Sequence, residues 1–202
     1  MAWLNGQPGA GKTTAAARIA AAVFGPRAVY HEWTRDDMRT PVRADVFGAR
    51  RIHFRATPDL RVVQFGVFDK PHRKELEGAD NINYMNRPAL KAAVAELAER
   101  GQTEAVLIDG LMVMQQPFVR SVRAHTAELR VFRIDTPGPT AKRRYLARNR
   151  TMVREKRLRG MPPDGSWERA QPKTDKVDAA GDVVVPCANT EDATRKVLTY
   201  IQ

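Results

Sequence analysis

The chain has 202 residues, with 34 Lys or Arg against 23 Asp or Glu, and a net charge of +11. This length holds one domain, and 43 % hydrophobic residues can fill its core, which excludes a chain that is disordered throughout. No apolar run approaches the roughly 18–20 residues of a membrane span, and no signal peptide precedes the first strand pattern. The single cysteine, Cys187, excludes an internal disulfide and a multi-cysteine zinc site. The composition favours a reducing, cytoplasmic location and an anionic partner.

Strand and helix patterns alternate along the chain. We predict strands at 2–5, 28–31, 61–65, 105–108, 129–134 and 182–185, and helices at 12–24, 88–100, 117–125, 140–159 and 191–201. The third strand is expected outside the central sheet, and residues 160–166 are expected to form a loop. This alternation predicts an α/β fold with a mostly parallel sheet and helices on both faces. Its active site should lie at the carboxyl ends of the strands.

The first strand-to-helix turn carries a complete phosphate-loop motif, G-Q-P-G-A-G-K-T. Its backbone amides and the following helix N-terminus would cradle phosphate oxygens, and its glycines let the backbone approach them closely. Lys12 should bridge the β- and γ-phosphates, and the Thr13 hydroxyl should bind Mg²⁺. The predicted nucleotide-binding residues are Gly6, Pro8, Gly9, Ala10, Gly11, Lys12, Thr13 and Thr14.

Other motifs narrow the class of nucleotide-binding protein. The chain is too short for a motor with an accessory helical domain, and it has no N-K-x-D motif for reading guanine. The strand at 105–108 ends in Asp109-Gly110, without the acidic pair typical of motors. Asp109 is therefore predicted to bind the metal or the acceptor, unless it only caps the next segment. A small kinase remains the best interpretation.

The sequence after the second strand is T-R-D-D-M-R at 34–39. Together with P-G-x-G-K-T-T it resembles the 5′-kinase domain of phage polynucleotide kinase. The resemblance implies that Asp36 is the general base and that Arg39 contacts the acceptor phosphate or that base, with Arg35 and Asp37 beside the acceptor. The alternative is that the two aspartates only cap a turn or helix.

A basic segment follows the strand at 129–134. Residues 142–159 hold nine basic residues and one acid, Glu155. We predict a helical lid at about 136–165, in which Arg144 and Arg148 share one helical face and clamp phosphates, while Arg143 and Arg150 share another. This part resembles polynucleotide kinase more loosely, and a solvated basic helix is the alternative.

The least regular segment, about 41–86, is predicted to be an acceptor-side insertion. It is similar to phage-type kinases that phosphorylate 5-hydroxymethyluracil in DNA, which implies acceptor contacts from Asp69, Lys70, Asp80, Asn81 and Tyr84.

We therefore expect a single kinase domain over 1–202 that uses ATP and Mg²⁺ on a nucleic acid, with neither a membrane nor an obligate protein partner. Phage origin would place it in the host cytoplasm. The alternatives are a nucleoside or nucleotide kinase of uridine-kinase-like type and a non-catalytic nucleotide switch.

Overall fold

The computed structural model describes residues 1–25, 31–32, 40–41, 52–66, 87–109, 120–121, 123–155 and 160–202. The strands are β1 (Ala2–Asn5), β2 (His31–Glu32), β3 (Thr40–Pro41), β4 (His53–Ala56), β5 (Val62–Phe65), β6 (Ala105–Asp109), β7 (Arg130–Ile134) and β8 (Val183–Cys187). The helices are α1 (Lys12–Phe24), α2 (Arg87–Arg100), α3 (Gly138–Arg154), α4 (Gln171–Asp178) and α5 (Thr190–Ile201), with a 3₁₀ turn at Glu168–Ala170 before α4. None of the helices that the structure describes is both long and apolar enough to cross a bilayer.

These strands form one mixed sheet in the order β3-β2-β4-β5-β6-β1-β7-β8. The half from β5 to β8 is parallel, whereas β2, β3 and β4 join antiparallel. The parallel pairs bring the carboxyl ends of β6, β1, β7 and β8 to one edge, since Leu4 of β1 pairs with Asp109 of β6 and Ile134 of β7 pairs with Cys187 of β8. The segments that leave these four strands therefore begin side by side.

Helices cover both faces of the sheet, which confirms the predicted α/β class. On one face Ala16 and Ile19 of α1 and Val197 of α5 pack with the side chains of Leu4 and Phe132. On the other face α2 and α4 pack over Trp3, Ile108 and Val131. The central strands are buried from both sides, so they read as continuous apolar runs rather than as alternating patterns.

Several sequence predictions need correction. The strand predicted at 61–65 was expected outside the central sheet, but β5 pairs parallel with β6 and Phe65 is fully buried. Strand β4, helix α4 and the 3₁₀ turn were not predicted, and α3 begins at Gly138 rather than at residue 140. The segment at 41–86 includes β4 and β5, but its residues 42–51 and 67–86 lie outside the described part of the chain, so its role as an acceptor-side insertion stays a prediction.

Candidate functional site

The loop at residues 6–13, hereafter the glycine loop, joins β1 to α1 at the carboxyl edge of the sheet. Gly6, Gly9 and Gly11 all have positive φ angles of 142°, 89° and 99°. A Cβ atom at Gly9 would collide with the backbone carbonyl of Ala141 in α3, and one at Gly11 would collide with the Thr190 hydroxyl. Glycine is therefore required at these two positions both by the backbone angles and by close neighbours.

Lys12, the first residue of α1, lies across the glycine loop. Its ammonium group donates hydrogen bonds to the carbonyl oxygens of Gly6 at 2.8 Å and Gln7 at 3.1 Å, and only 8 % of the residue is exposed. The Ala10 amide also donates to the Gln7 carbonyl at 2.9 Å. These contacts hold a buried cation inside the loop. An anion at this position would meet a desolvated ammonium group.

Thr13 and Asp109 join the glycine loop to the neighbouring strand. The Thr13 hydroxyl donates to a carboxylate oxygen of Asp109 at 3.2 Å, and Asp109 is 1 % exposed. A hydroxyl and a carboxylate are hard oxygen donors of the kind that Mg²⁺ prefers, and two protein oxygens leave room for water and phosphate in its octahedral shell. Among the residues that the structure describes, there is no group of three or more His, Cys, Asp or Glu that could hold a metal ion. The hard oxygens of Thr13 and Asp109 fit a Mg²⁺ ion whose remaining positions are filled by water and phosphate oxygens.

The outer side of the glycine loop is covered by α3 and the segment that precedes α4. The indole N–H of Trp167 donates to the Pro8 carbonyl at 2.9 Å, and the Thr136 hydroxyl donates to the Ala10 carbonyl at 3.1 Å. The backbone of α3 at Ala141 and Tyr145 lies against Gly9. The conformation of the loop is thus fixed by residues that are more than 120 positions away in sequence.

An open groove of about 320 Å³ lies between α1, the start of α3 and the start of α5. One wall comes from the start of α3 and the residues before it, including Thr136 and Arg144. The opposite wall is residues 188–191 at the start of α5, and Arg18 lines the groove from α1. Thr136 in one wall contacts Ala10 and Thr190 in the other lies against Gly11, so the groove adjoins the glycine loop.

The two arginines predicted to clamp phosphates both lie on α3. Arg144 lines the groove, and the guanidinium carbon of Arg148 lies 5.9 Å from the centroid of the Tyr145 ring. Both side chains are exposed. The predicted shared face of Arg144 and Arg148 follows directly from their position in one continuous helix.

The structure thus brings the glycine loop and Asp109 together at one edge of the sheet, and it places Arg144 in the wall of the groove. Thr14 lies on the exposed side of the first turn of α1. The remaining predicted site residues lie outside the described part of the chain, so their roles stay predictions: Arg35, Asp36, Asp37, Arg39, Asp69, Lys70, Asp80, Asn81 and Tyr84.

Sequence reasoning did not find the groove or Trp167. Asn189 followed by Glu191 and Asp192 is a helix-start signal, because the Asn189 side chain accepts hydrogen bonds from both following amides. That signal could have marked the wall of the groove. Trp167 carries no periodic or motif signal.

Cys187 is fully buried as predicted, and this burial raises the pKa of its thiol to about 11, so it is not a ready nucleophile.

A comparison of this chain with protein-family models, with curated proteins and with solved structures finds no match. The functional conclusion therefore depends on the geometry of the site and on the motifs in the sequence.

Proposed function

We propose that this protein is an ATP-dependent kinase that transfers the γ-phosphoryl group to a hydroxyl on a nucleic acid. The acceptor would be a 5-hydroxymethyl base in DNA or a polynucleotide 5′-hydroxyl. One observation carries the proposal: the buried Lys12 ammonium lies in the glycine loop directly beside the Thr13–Asp109 pair, at the meeting point of two parallel strands. A lysine, a hydroxyl and a carboxylate in this arrangement are the parts that phosphoryl transfer from a nucleoside triphosphate requires.

Each end of ATP has a site of matching chemistry. The triphosphate would lie against the backbone amides of the glycine loop and the start of α1, with Lys12 neutralising its charge. The nucleoside would lie in the adjoining groove between Thr136 and Thr190. Thr13 and Asp109 would hold Mg²⁺, which when bound neutralises charge on the phosphate oxygens.

The acceptor side uses residues that the sequence predicts. Asp36 would accept the proton of the acceptor hydroxyl as the hydroxyl oxygen bonds to the γ-phosphorus and the bond to the β-phosphate oxygen breaks, which releases ADP. Arg39 would orient the acceptor or the base. Arg144 and Arg148 would stabilise negative charge as the phosphoryl group moves.

A panel of acceptors tests the reaction. Labelled ATP is offered with free nucleosides, with 5′-hydroxyl oligonucleotides, and with duplex DNA that contains hydroxymethyl bases. We expect label in one of the two nucleic acids. Label that moves only to free nucleosides would support the uridine-kinase-like alternative, and the absence of transfer to any acceptor would contradict a kinase of this class.

Variants test the assignment of the residues. Asp109→Asn should lower kcat by about 100-fold or more and raise the Mg²⁺ concentration that gives half-maximal rate. Asp135→Asn is the matched control, because Asp135 follows β7, on the other side of β1, but is half-exposed and paired with Arg133. Asp36→Asn should abolish transfer while ATP affinity stays nearly unchanged, and Lys12→Ala should lose both. Wild-type turnover in Asp36→Asn would exclude it as the base.

A further inference from the structure

Trp167 makes a contact with the glycine loop that the proposed reaction does not yet use. Its indole N–H donates to the Pro8 carbonyl at 2.9 Å, although 159 residues separate the two in sequence. The far edge of the ring packs against Gly138, at the start of α3, where a Cβ would lie 3.6 Å from the ring. The ammonium group of Lys142 lies 5.9 Å from the ring centroid and also pairs with Glu168 at 2.5 Å. The indole is therefore held between α3 and the loop from several sides.

The orientation of the Pro8 carbonyl determines the orientation of the Gly9 N–H. The bond between Pro8 and Gly9 is trans, and in a trans peptide the C=O of one residue and the N–H of the next point in opposite directions. The Pro8 carbonyl points outward to Trp167, on the side where α3 lies against Gly9. The Gly9 N–H therefore points away from α3, towards the inner side of the loop, where Lys12 reaches across to Gly6 and Gln7.

We propose that Trp167 is a positioning residue of the phosphate site: by holding the Pro8 carbonyl, it fixes the Gly9 N–H as a hydrogen-bond donor to the bound nucleotide's phosphates. Gly9 has a positive φ angle and no side chain, so its two flanking peptide planes would otherwise rotate easily. A donor that is oriented before the ligand arrives avoids the entropic cost of ordering it on binding. This inference depends on the proposed function only in the identity of the ligand.

The test compares Trp167→Phe with wild type. Phenylalanine keeps an aromatic ring between α3 and the loop but removes the N–H donor. Lys142→Met is the control, because it removes the cation beside the ring and the pair with Glu168 while the indole N–H remains. Circular dichroism and thermal unfolding establish that all three proteins are folded.

The first measurement needs no nucleotide. Hydrogen exchange of the backbone amides in residues 6–13 should be faster in Trp167→Phe than in wild type, and unchanged in Lys142→Met. The Ala10 amide, which donates to Gln7 within the loop, is the most informative probe. Equal exchange in Trp167→Phe and wild type would overturn the proposal.

The second measurement uses MgADP. Loss of one hydrogen bond that orients a donor should raise the dissociation constant of Trp167→Phe by about three- to tenfold, with a smaller change for AMP, which lacks the second phosphate. Equal losses for MgADP and AMP would contradict a role at the phosphates. If wild type itself binds neither nucleotide, the proposed function fails, and the exchange experiment still decides whether Trp167 orders the loop.

Discussion

At the scale of single residues, the glycine loop is shaped by its neighbours as much as by the ligand that it would bind. Gly9 touches the backbone of α3, Gly11 touches Thr190, and Pro8 accepts a hydrogen bond from Trp167. A substitution in this loop would therefore move α3 and α5 as well as the backbone amides. Stability and nucleotide binding should change together here.

Gly9→Ala and Gly101→Ala separate these effects, because both glycines have positive φ angles, of 89° and 66°. A Cβ at Gly101 meets nothing within 4 Å, so this variant should cost only the backbone strain of about 1 kcal/mol, or ~2–4 °C in melting temperature. A Cβ at Gly9 would overlap the Ala141 carbonyl, so Gly9→Ala should melt at a lower temperature than Gly101→Ala and lose nucleotide binding. The measurements are thermal unfolding and titration with MgADP. Equal melting temperatures in the two variants would show that α3 does not press on the loop.

The residues of the proposed phosphate site differ in whether a short stretch of sequence identifies them. Lys12 and Thr13 were predicted because a short motif between a strand and a helix specifies them. Asp109 was predicted because it ends a buried strand, and its carboxylate accepts a hydrogen bond from the Thr13 hydroxyl. Trp167 was missed because its partner is a backbone carbonyl 159 residues away, and a backbone acceptor leaves no trace in the sequence.

At the scale of elements, the sequence predicted correctly a strand that is buried on both faces and a helix that has clear start and stop signals. Strand β1 and helix α1 have the predicted bounds, since a continuous apolar run precedes the loop and Gly25 ends the helix. Strand β4 was missed because His53 and Arg55, both polar, are buried in it. Helix α4 was missed because only Thr174 and Val177 of its eight residues are buried, which is too few for a helical pattern. Strand β8 extends through Pro186 because it lies at the edge of the sheet, where a missing N–H is tolerated.

Helix α5, which forms one wall of the groove, begins with a set of charged contacts around Asp192. Asp192 accepts hydrogen bonds from Lys196 and from the Ala188 amide, and it pairs with Arg195. The hydrogen bond from Lys196, followed by that from the Ala188 amide, lowers the pKa of Asp192 from 3.8 to about 2. A carboxylate with a lowered pKa stabilises the folded state above its unfolded pKa, and this contribution is lost as the pH falls from about 4 to 2.

Asp192→Asn should therefore be less stable than wild type at pH 6, and the difference should shrink as the pH falls to about 2. Urea unfolding at a series of pH values measures it. Asp164→Asn, on an exposed loop, is the matched control for the removal of one surface carboxylate. A constant difference for Asp192→Asn across the series would show that the lowered pKa is not what stabilises the start of α5.

At the scale of the whole molecule, the basic residues of α3 lie on different faces of the helix. Arg143, Arg150 and Arg154 are spaced by seven and four residues along α3 and lie on one face, about half a turn away from the buried Ala141, Asn149 and Met152. They point away from the glycine loop and cannot serve a triphosphate bound there. Arg144 lines the groove, and Lys142 pairs with Glu168. The outward arginines therefore remain available for a larger polyanion, as a nucleic-acid acceptor requires.

The salt dependence of oligonucleotide binding tests this division. Each arginine that neutralises a phosphate releases counterions, so the plot of log affinity against log salt should become shallower by about one unit for each contact that is removed. Arg150→Ala/Arg154→Ala should therefore weaken oligonucleotide binding whatever the sequence and lower the slope by about two, while MgADP affinity stays at the wild-type value.

Arg100→Ala at the end of α2 is the control, because Arg100 is also exposed but pairs with Glu96 within its own helix, and it should leave the slope unchanged. An unchanged slope in the double variant would remove the outward face of α3 from the nucleic-acid interface. If the loss in oligonucleotide binding were matched by an equal loss in MgADP affinity, these arginines would belong to the nucleotide site instead.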